Sequence, residues 1–176
     1  MMNGKIWVES VLNKGSTFSF TIYAKKSDVH ADIEENIRVS DIEMQENEFT
    51  GCKILLAEDI EINCIVLMAL LDNSGIEFDI AENGKIACEK YAANPELYDM
   101  IFMDIQMPEM DGFAATEIIR SSEYSNAKTV PIIAMTANAF REDIDQCLAA
   151  GMDGHIAKPI ELDKVTEIIR KFYSSQ

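Results

Sequence analysis

The chain from residue 53 to residue 173 alternates short apolar runs with longer segments of helical period. The apolar runs cover residues 53–57, 78–81, 100–103, 130–135 and 153–157. Apolar residues recur three or four positions apart in the other segments, over residues 61–73, 85–93, 113–120, 138–150 and 161–172. Short runs without polar positions are typical of strands buried on both faces of a parallel sheet. Five such repeats with short connections predict an α/β fold: a doubly wound, five-stranded parallel sheet with helices on both faces, in the flavodoxin-like order 2-1-3-4-5.

The first 49 residues follow a different pattern. Residues 5–10 and 17–23 predict two strands joined by a turn, because the second run alternates strictly between apolar and polar positions. A hairpin of this size is marginally stable alone and needs a surface to pack on. Residues 25–49 hold eight acidic and three basic residues and few large apolar ones, which favours a solvated linker. We therefore expect three parts: the strands in residues 1–24, the linker, and one domain in residues 50–176.

Charge and composition narrow the class of protein. The formal net charge is −16 over 176 residues, and a nucleic-acid backbone requires clustered Lys and Arg instead. The chain contains no apolar run of about 20 residues and no signal-peptide pattern, so we expect a cytoplasmic chain without direct membrane contact. Four cysteines without a CxxC pair indicate reduced, half-buried side chains and no metal site of their own.

Polar side chains stand where the predicted strands end. Glu58 and Asp59 follow the first strand and Asp104 follows the third, and these two strands flank the point where the strand order reverses. Three carboxylates at one edge repel each other unless a cation is shared, and Mg²⁺ prefers oxygen ligands of this kind. Thr136 and Lys158 end the fourth and fifth strands at the same edge. The set predicts phosphoryl transfer to a carboxylate, with the metal and the lysine neutralising the phosphoryl oxygens.

Each of these residues has a simpler explanation when it is taken alone. Asp104 could cap a strand by accepting loop amides, Thr136 could cap a helix, and Lys158 could be a surface charge. Their joint placement at successive strand ends favours the phosphoryl-transfer site over these separate explanations.

Four segments carry a family resemblance. KILLAEDIEIN, IFMDIQMPEMDG, PIIAMTANA and GMDGHIAKPI resemble, in order and spacing, the motifs of response-regulator receiver domains, over about residues 52–173. The resemblance implies that Asp104 is the phospho-acceptor. It also implies that Glu58 and Asp59 organise Mg²⁺, with the backbone carbonyl of Gln106 as a further ligand. Glu58 stands where many members carry Asp, a variant common in receivers fused to kinases.

The same resemblance assigns a switch. Thr136 would bind the phosphoryl group and move on activation, Lys158 would pair with that group, and the peptide bond before Pro159 would be cis. The face of residues 138–172 would then respond. His155 stands where the family often has a switching Phe or Tyr, so both a switch role and a partly exposed histidine without a role stay open.

The N-terminal segment MNGKIWVESVLNKGSTFSFTIYAK resembles the closing strands of the ATP-binding domain of sensor histidine kinases. It lacks the Asn- and Gly-rich boxes that hold ATP, so we expect a phospho-acceptor without kinase activity of its own. The order of strands, linker and receiver resembles the C-terminal end of a hybrid sensor histidine kinase, with no DNA-binding output after residue 176. The expected partners are the histidine kinase core and a histidine phosphotransfer protein or domain.

Two other functions use similar residues. A haloacid-dehalogenase-like phosphatase also has a strand-end Asp with Thr, Lys and Mg²⁺, but it typically needs a second acid two residues beyond the nucleophile. Gln106 occupies that position and cannot transfer a proton. A docking module with a vestigial pocket is the third possibility, and the complete set of pocket residues argues against it.

Overall fold

The computed structural model describes residues 5–11, 15–21, 46–137 and 141–173. The chain divides into two compact units, Met1–Asp41 and Ile42–Gln176. Of the described residues, no helix combines the length and the apolar character that crossing a bilayer requires.

The first unit contains an antiparallel hairpin. Strands β1 (Lys5–Val11) and β2 (Gly15–Thr21) pair so that Ile6 lies opposite Phe20 and Val8 opposite Phe18. All four of these apolar side chains are exposed among the described residues. The two strands agree with the expectation from the alternating pattern, and residues 22–23 of the second predicted strand lie outside the described residues.

The second unit is a parallel sheet between helices. Its elements are β3 (Lys53–Ala57), α1 (Glu61–Leu70), β4 (Glu77–Ala81), α2 (Gly84–Ala93), β5 (Met100–Asp104), α3 (Gly112–Ser121), β6 (Ile132–Thr136), α4 (Arg141–Ala149), β7 (Gly154–Ala157) and α5 (Leu162–Tyr173). All neighbouring strands are parallel, in the order β4-β3-β5-β6-β7. Counted within this sheet the order is 2-1-3-4-5, which confirms the predicted fold class.

Alternating residues of each central strand build two cores. On β5, Ile101 and Met103 pack with residues of α2, α3 and α4, whereas Met100 and Phe102 pack with residues of α1 and α5. The central strands are buried on both faces, which explains why their sequences contain no polar alternation. Because all the strands are parallel, their last residues lie together at one end of the sheet, which we call the carboxyl edge. Their first residues lie at the opposite end, the amino edge.

The segment before β3 belongs to this unit as well. Phe49 is buried in the core beside α1 and α5 and meets the ring of Tyr173 edge-on. Glu48 accepts two hydrogen bonds from Arg170, the shorter of them at 2.5 Å. The predicted linker, residues 25–49, thus includes at its end residues that pack against the folded domain.

Candidate functional site

Asp104 is the last residue of β5 and lies in a cavity of about 570 Å³ at the carboxyl edge. Its backbone pairs with Met135 of β6, which fixes its position, and the residue is 5% exposed. Thr136 and Lys158 line the same cavity from the ends of β6 and β7. The structure therefore brings together the three strand-end residues that the sequence predicts as phospho-acceptor, hydroxyl and lysine.

A close backbone approach fixes the start of α3 beside the end of β5. The amide of Gly112, at the start of α3, donates to the carbonyl of Ile105 at 3.0 Å. A Cβ atom at position 112 would lie 2.2 Å from the backbone oxygen of Asp104. Only glycine allows α3 to begin this close to the strand end.

Three carboxylates meet at the edge of the sheet. One oxygen each of Glu58, Asp59 and Asp104 lies within 4.8 Å of the other two. Glu58 is only 2% exposed, whereas Asp59 faces solvent. Oxygen atoms at these separations suit a hard divalent cation that binds partly through water. The donor set fits a metal ion at this position.

Lys158 supplies the positive charge inside the cluster. Its Nζ lies 2.6 Å from Oδ2 of Asp104 and 2.6 Å from Oε2 of Glu58. Burial works against the charge on Lys158, but the hydrogen bonds to the two carboxylates prevail and raise its pKa. One ammonium group thus serves two acids.

The pKa of Asp104 is raised above its ordinary value. Burial is the main cause and the neighbouring charge of Glu58 adds to it, although the contact with Lys158 acts in the opposite direction. A lysine shared between two carboxylates cannot fully offset the desolvation of either one. The cluster is therefore short of positive charge, and a cation would relieve that shortage.

The other predicted site residues lie in different places. The amide of Gln106 donates to Oδ1 of Asp104 at 3.3 Å, and Gln106 lines the cavity. The Lys158–Pro159 peptide bond is cis, in agreement with the expectation from the resemblance. His155 lies within β7 opposite Ala134 and lines a second cavity, of about 520 Å³, between β7 and α5. The structure does not bring His155 into the cavity of Asp104.

Two residues of the site were not predicted from the sequence. Asn63, in the first turn of α1, donates its Nδ2 to Oε1 of Glu58 at 2.7 Å. Gly112, which begins α3 beside the end of β5, was not predicted as part of the site. A short polar residue at the start of a helix that follows an acidic pair is the signal that could have pointed to Asn63.

Comparison with known proteins identifies relatives of this chain. The model of the family "Response regulator receiver domain" matches residues 54–170. The aerobic respiration control sensor protein ArcB of Escherichia coli is 34% identical over 175 residues, which cover 99% of this chain and 21% of ArcB. Hybrid signal transduction histidine kinase L of Dictyostelium discoideum is 43% identical over 122 residues, covering 68% of this chain and 7% of the kinase. The chain thus spans about a fifth of the length of ArcB and less of the Dictyostelium kinase.

Solved structures share the same fold. The receiver domain of sensor histidine kinase PA1611 from Pseudomonas aeruginosa, with magnesium coordinated in its active site cleft, has a TM-score of 0.62 and 38% identity over 70% of this chain and 98% of that domain. The receiver domain of Saccharomyces cerevisiae Ssk1, solved with the histidine phosphotransfer protein Ypd1, has a TM-score of 0.62 and 28% identity. That comparison covers 69% of this chain and 88% of the yeast chain.

Proposed function

The chain belongs to the response regulator receiver family, and we propose that Asp104 accepts a phosphoryl group from a phosphohistidine in a Mg²⁺-dependent step of a phosphorelay. One observation carries the proposal. A nearly buried carboxylate stands at a strand end, in contact with Lys158 and within 4.8 Å of two further acids. Acids that are perturbed by burial together with a specific charge partner in a cleft are candidates for functional sites, so this cluster indicates chemistry.

The residues have distinct tasks in this transfer. A side-chain oxygen of Asp104 attacks phosphorus, the bond from phosphorus to the donor imidazole nitrogen breaks, and that nitrogen keeps the electron pair. Lys158 already contacts Asp104, so its ammonium group can remain with the phosphoryl oxygens after transfer. The hydroxyl of Thr136 lies at the end of β6 and can donate to another of these oxygens.

We infer that the cation is Mg²⁺, held by Glu58, Asp59, Asp104 and the backbone carbonyl of Gln106. Bound there, Mg²⁺ would neutralise negative charge on the transferring group. The clustered carboxylate oxygens and the magnesium ion in the related PA1611 receiver support this assignment.

The partners follow from the direction of transfer. We propose that a histidine kinase core supplies the phosphoryl group and that a histidine phosphotransfer protein exchanges it. Ile60 lines the cavity of Asp104, and Ile62, Ile65 and Val66 of α1 are exposed apolar side chains near it in sequence. Apolar groups at the rim suit a protein donor better than a small metabolite. The complex of the related Ssk1 receiver with Ypd1 supports this choice.

We propose that the signal leaves through the face of residues 138–172. A phosphoryl group on Asp104 offers Thr136 and Lys158 contacts that the bare carboxylate does not, and this differential interaction is what shifts a conformational equilibrium. Residues 138–140, the first part of that face, lie outside the described residues. His155 lines the cavity beside α5 and is a candidate reporter of the change.

The wider organisation of the chain is also a proposal. We assign residues 1–24 to the closing strands of a kinase ATP-binding domain, residues 25–49 to a linker and residues 50–176 to the receiver. The similarity to ArcB supports this, because it extends over 99% of the chain. The four cysteines are free thiols, which suits a cytoplasmic location.

Intact-mass analysis tests the acceptor. The chain is incubated with Mg²⁺ and a small phosphodonor, and the wild type should gain one phosphoryl group that hydroxylamine removes. Asp104→Asn should gain none. Asp111→Asn is the matched control, because Asn at this exposed helix cap keeps the hydrogen bond to the amide of Ala114. Equal labelling of Asp104→Asn and wild type would overturn the assignment.

A further inference from the structure

Glu58 is the most buried carboxylate of the cluster, and both of its oxygens have partners. Oε2 accepts from Nζ of Lys158 at 2.6 Å. Oε1 accepts from Nδ2 of Asn63 at 2.7 Å and, at 3.4 Å, from the amide of Ile60. A carboxylate this deeply buried requires such hydrogen-bond partners, because an unsatisfied buried polar group is costly.

The two main partners of Glu58 differ in kind. Lys158 is also bonded to Asp104, so its position depends on what happens to that side chain. Asn63 is neutral and sits on the first turn of α1, so it holds Glu58 without competing with a cation for charge. Of these two donors, only Asn63 can keep its contact with Glu58 when Lys158 turns towards a phosphoryl group.

The hydrogen bond between Asn63 and Glu58 matters because the glutamate side chain is long. Glutamate has one more rotatable bond than aspartate, so its carboxylate can point in more directions at the same backbone position. Mg²⁺ demands near-ideal octahedral geometry and tolerates misplaced ligands poorly. A hydrogen bond that fixes one oxygen of Glu58 leaves the other directed towards the cluster.

We propose that Asn63 is a positioning residue of the metal site, which orients the Glu58 carboxylate and thereby sets the affinity of the cluster for a divalent cation. The inference rests on the proposed function, because it concerns the same site. Removing the partner that orients a metal ligand typically lowers metal affinity by about 10- to 100-fold. Asn63→Ala should therefore weaken Mg²⁺ binding by about 10-fold or more.

Calorimetric titration of the full chain with MgCl₂ tests the proposal in four variants. Asn63→Ala is measured in the wild-type background and in Glu58→Asp, where the shorter acid withdraws from the Asn63 amide. The loss of affinity should appear in the first background and shrink to less than about 3-fold in the second, because the two changes remove the same contact.

Asn126→Ala is the matched control for the loss of a hydrogen-bonded asparagine. Asn126 bonds to Tyr91 and to the carbonyl of Pro95, in the loop before β6 at the opposite edge of the sheet. This variant should melt at a lower temperature than wild type yet bind Mg²⁺ with wild-type affinity.

Three results would overturn the inference: wild-type affinity in Asn63→Ala, equal losses in both Glu58 backgrounds, or an equal loss in Asn126→Ala. The labelling of Asp104 distinguishes this failure from that of the proposed function. If Asp104 is labelled in the presence of Mg²⁺ while Asn63→Ala binds the ion normally, only the role of Asn63 is wrong. If wild type binds no Mg²⁺, both proposals fail.

Discussion

Charged side chains are paired differently at the amino edge and at the carboxyl edge of the parallel sheet. At the amino edge, Arg120 donates to the carbonyls of Gly151, Ala127 and Val130 at 2.8–2.9 Å and to Asp153 at 2.7 Å. Asp153 also accepts the amide of Ile132 at 2.8 Å. At the carboxyl edge, Glu58 and Asp104 share the ammonium group of Lys158, and Asp59 adds a third carboxylate to the cluster.

The difference shows which edge is built for stability. Arg120 ties the end of α3 to the loops that precede β6 and β7, and it supplies a donor to three loop carbonyls as well as to Asp153. The carboxyl edge instead keeps like charges close together in a partly desolvated cavity, which costs folding free energy. Such a cost is typical of sites that bind a ligand of opposite charge.

The largest effect is expected from Arg120→Ala. This change leaves three carbonyl groups without the donor that Arg120 provides and removes its ion pair with Asp153, so the free energy of unfolding should fall by about 3–5 kcal/mol. Urea denaturation followed by circular dichroism measures it. The Mg²⁺ affinity of the folded protein should stay at the wild-type value, because the contacts of Arg120 lie at the amino edge and the metal cluster lies at the carboxyl edge.

Arg170→Ala provides the matched comparison. Arg170 also pairs with a carboxylate, that of Glu48, but its side chain is 33% exposed and no carbonyl depends on it in the contacts described here. The loss should be about 1 kcal/mol or less. Equal losses in the two arginine variants would contradict the view that Arg120 acts through the loop carbonyls.

Gly112→Ala is expected to lower stability by less than Arg120→Ala, but it should also affect the metal site. The new methyl group would meet the backbone oxygen of Asp104 at 2.2 Å, so α3 or the end of β5 must move. The expected loss is about 1–3 kcal/mol, as for other overpacked sites. Because Asp104 moves with its backbone, Mg²⁺ affinity and phosphoryl labelling should fall as well.

Gly154→Ala is the control for this substitution. A Cβ atom at Gly154 would meet only the tips of Ile133 and Phe172, the nearer at 3.3 Å, and these side chains can adjust. Its labelling should match that of wild type. If Gly112→Ala is labelled as fast as Gly154→Ala, the close approach of α3 does not position Asp104.

Much of the fold could be predicted from the sequence because its central strands are buried on both faces and have no polar alternation. The five apolar runs become β3 to β7 in the expected order, with small differences at their ends. The first helix was predicted to reach residue 73, but α1 ends at Leu70 and a short 3-10 turn, Asp72–Ser74, follows it. Gly75, with φ of 81°, then reverses the chain. Local periodicity cannot distinguish such a turn from another helical turn.

The orientation of α1 was harder to predict. Its sequence is apolar nearly all round, so the spacing of Ile62, Val66 and Leu67 does not say which of them faces the core. In the structure Leu67 is buried, whereas Ile62 is 60% and Val66 45% exposed. Packing against β3 and α5 decides this, and only the folded chain shows it.

The candidate site likewise contains residues that could be placed from the sequence and contacts that could not. Glu58, Asp59, Asp104, Thr136 and Lys158 could be placed together because topology alone brings strand ends to one edge. The contacts of Asn63 and Arg120 could not be predicted, since they depend on side-chain rotamers and on distances between helices and loops. The roles of the strand-end residues stay predictions until labelling tests them.

The smallest expected effect is a gain in stability from Asp104→Asn in the absence of metal. Burial raises the pKa of the wild-type Asp104 carboxyl because it disfavours the charged form, and the Asn side chain carries no such charge. Loss of the contact with Lys158 opposes the gain, but Lys158 keeps Glu58. A net gain on the order of 1 kcal/mol would raise the melting temperature by about 2–8 °C.

The pH dependence identifies the cause of that gain. An acid whose pKa is raised in the folded state binds its proton more tightly than in the unfolded state. Its stabilising contribution is complete below the unfolded pKa, close to the ordinary value of 3.8, and disappears as the pH rises through the folded pKa. The advantage of Asp104→Asn should thus be largest above the folded pKa and shrink as the pH falls from there towards 3.8. Melting curves recorded in a chelator across this pH range measure the advantage of Asp104→Asn. An advantage that stays constant with pH would show that the charge on Asp104 does not lower the stability of the folded chain.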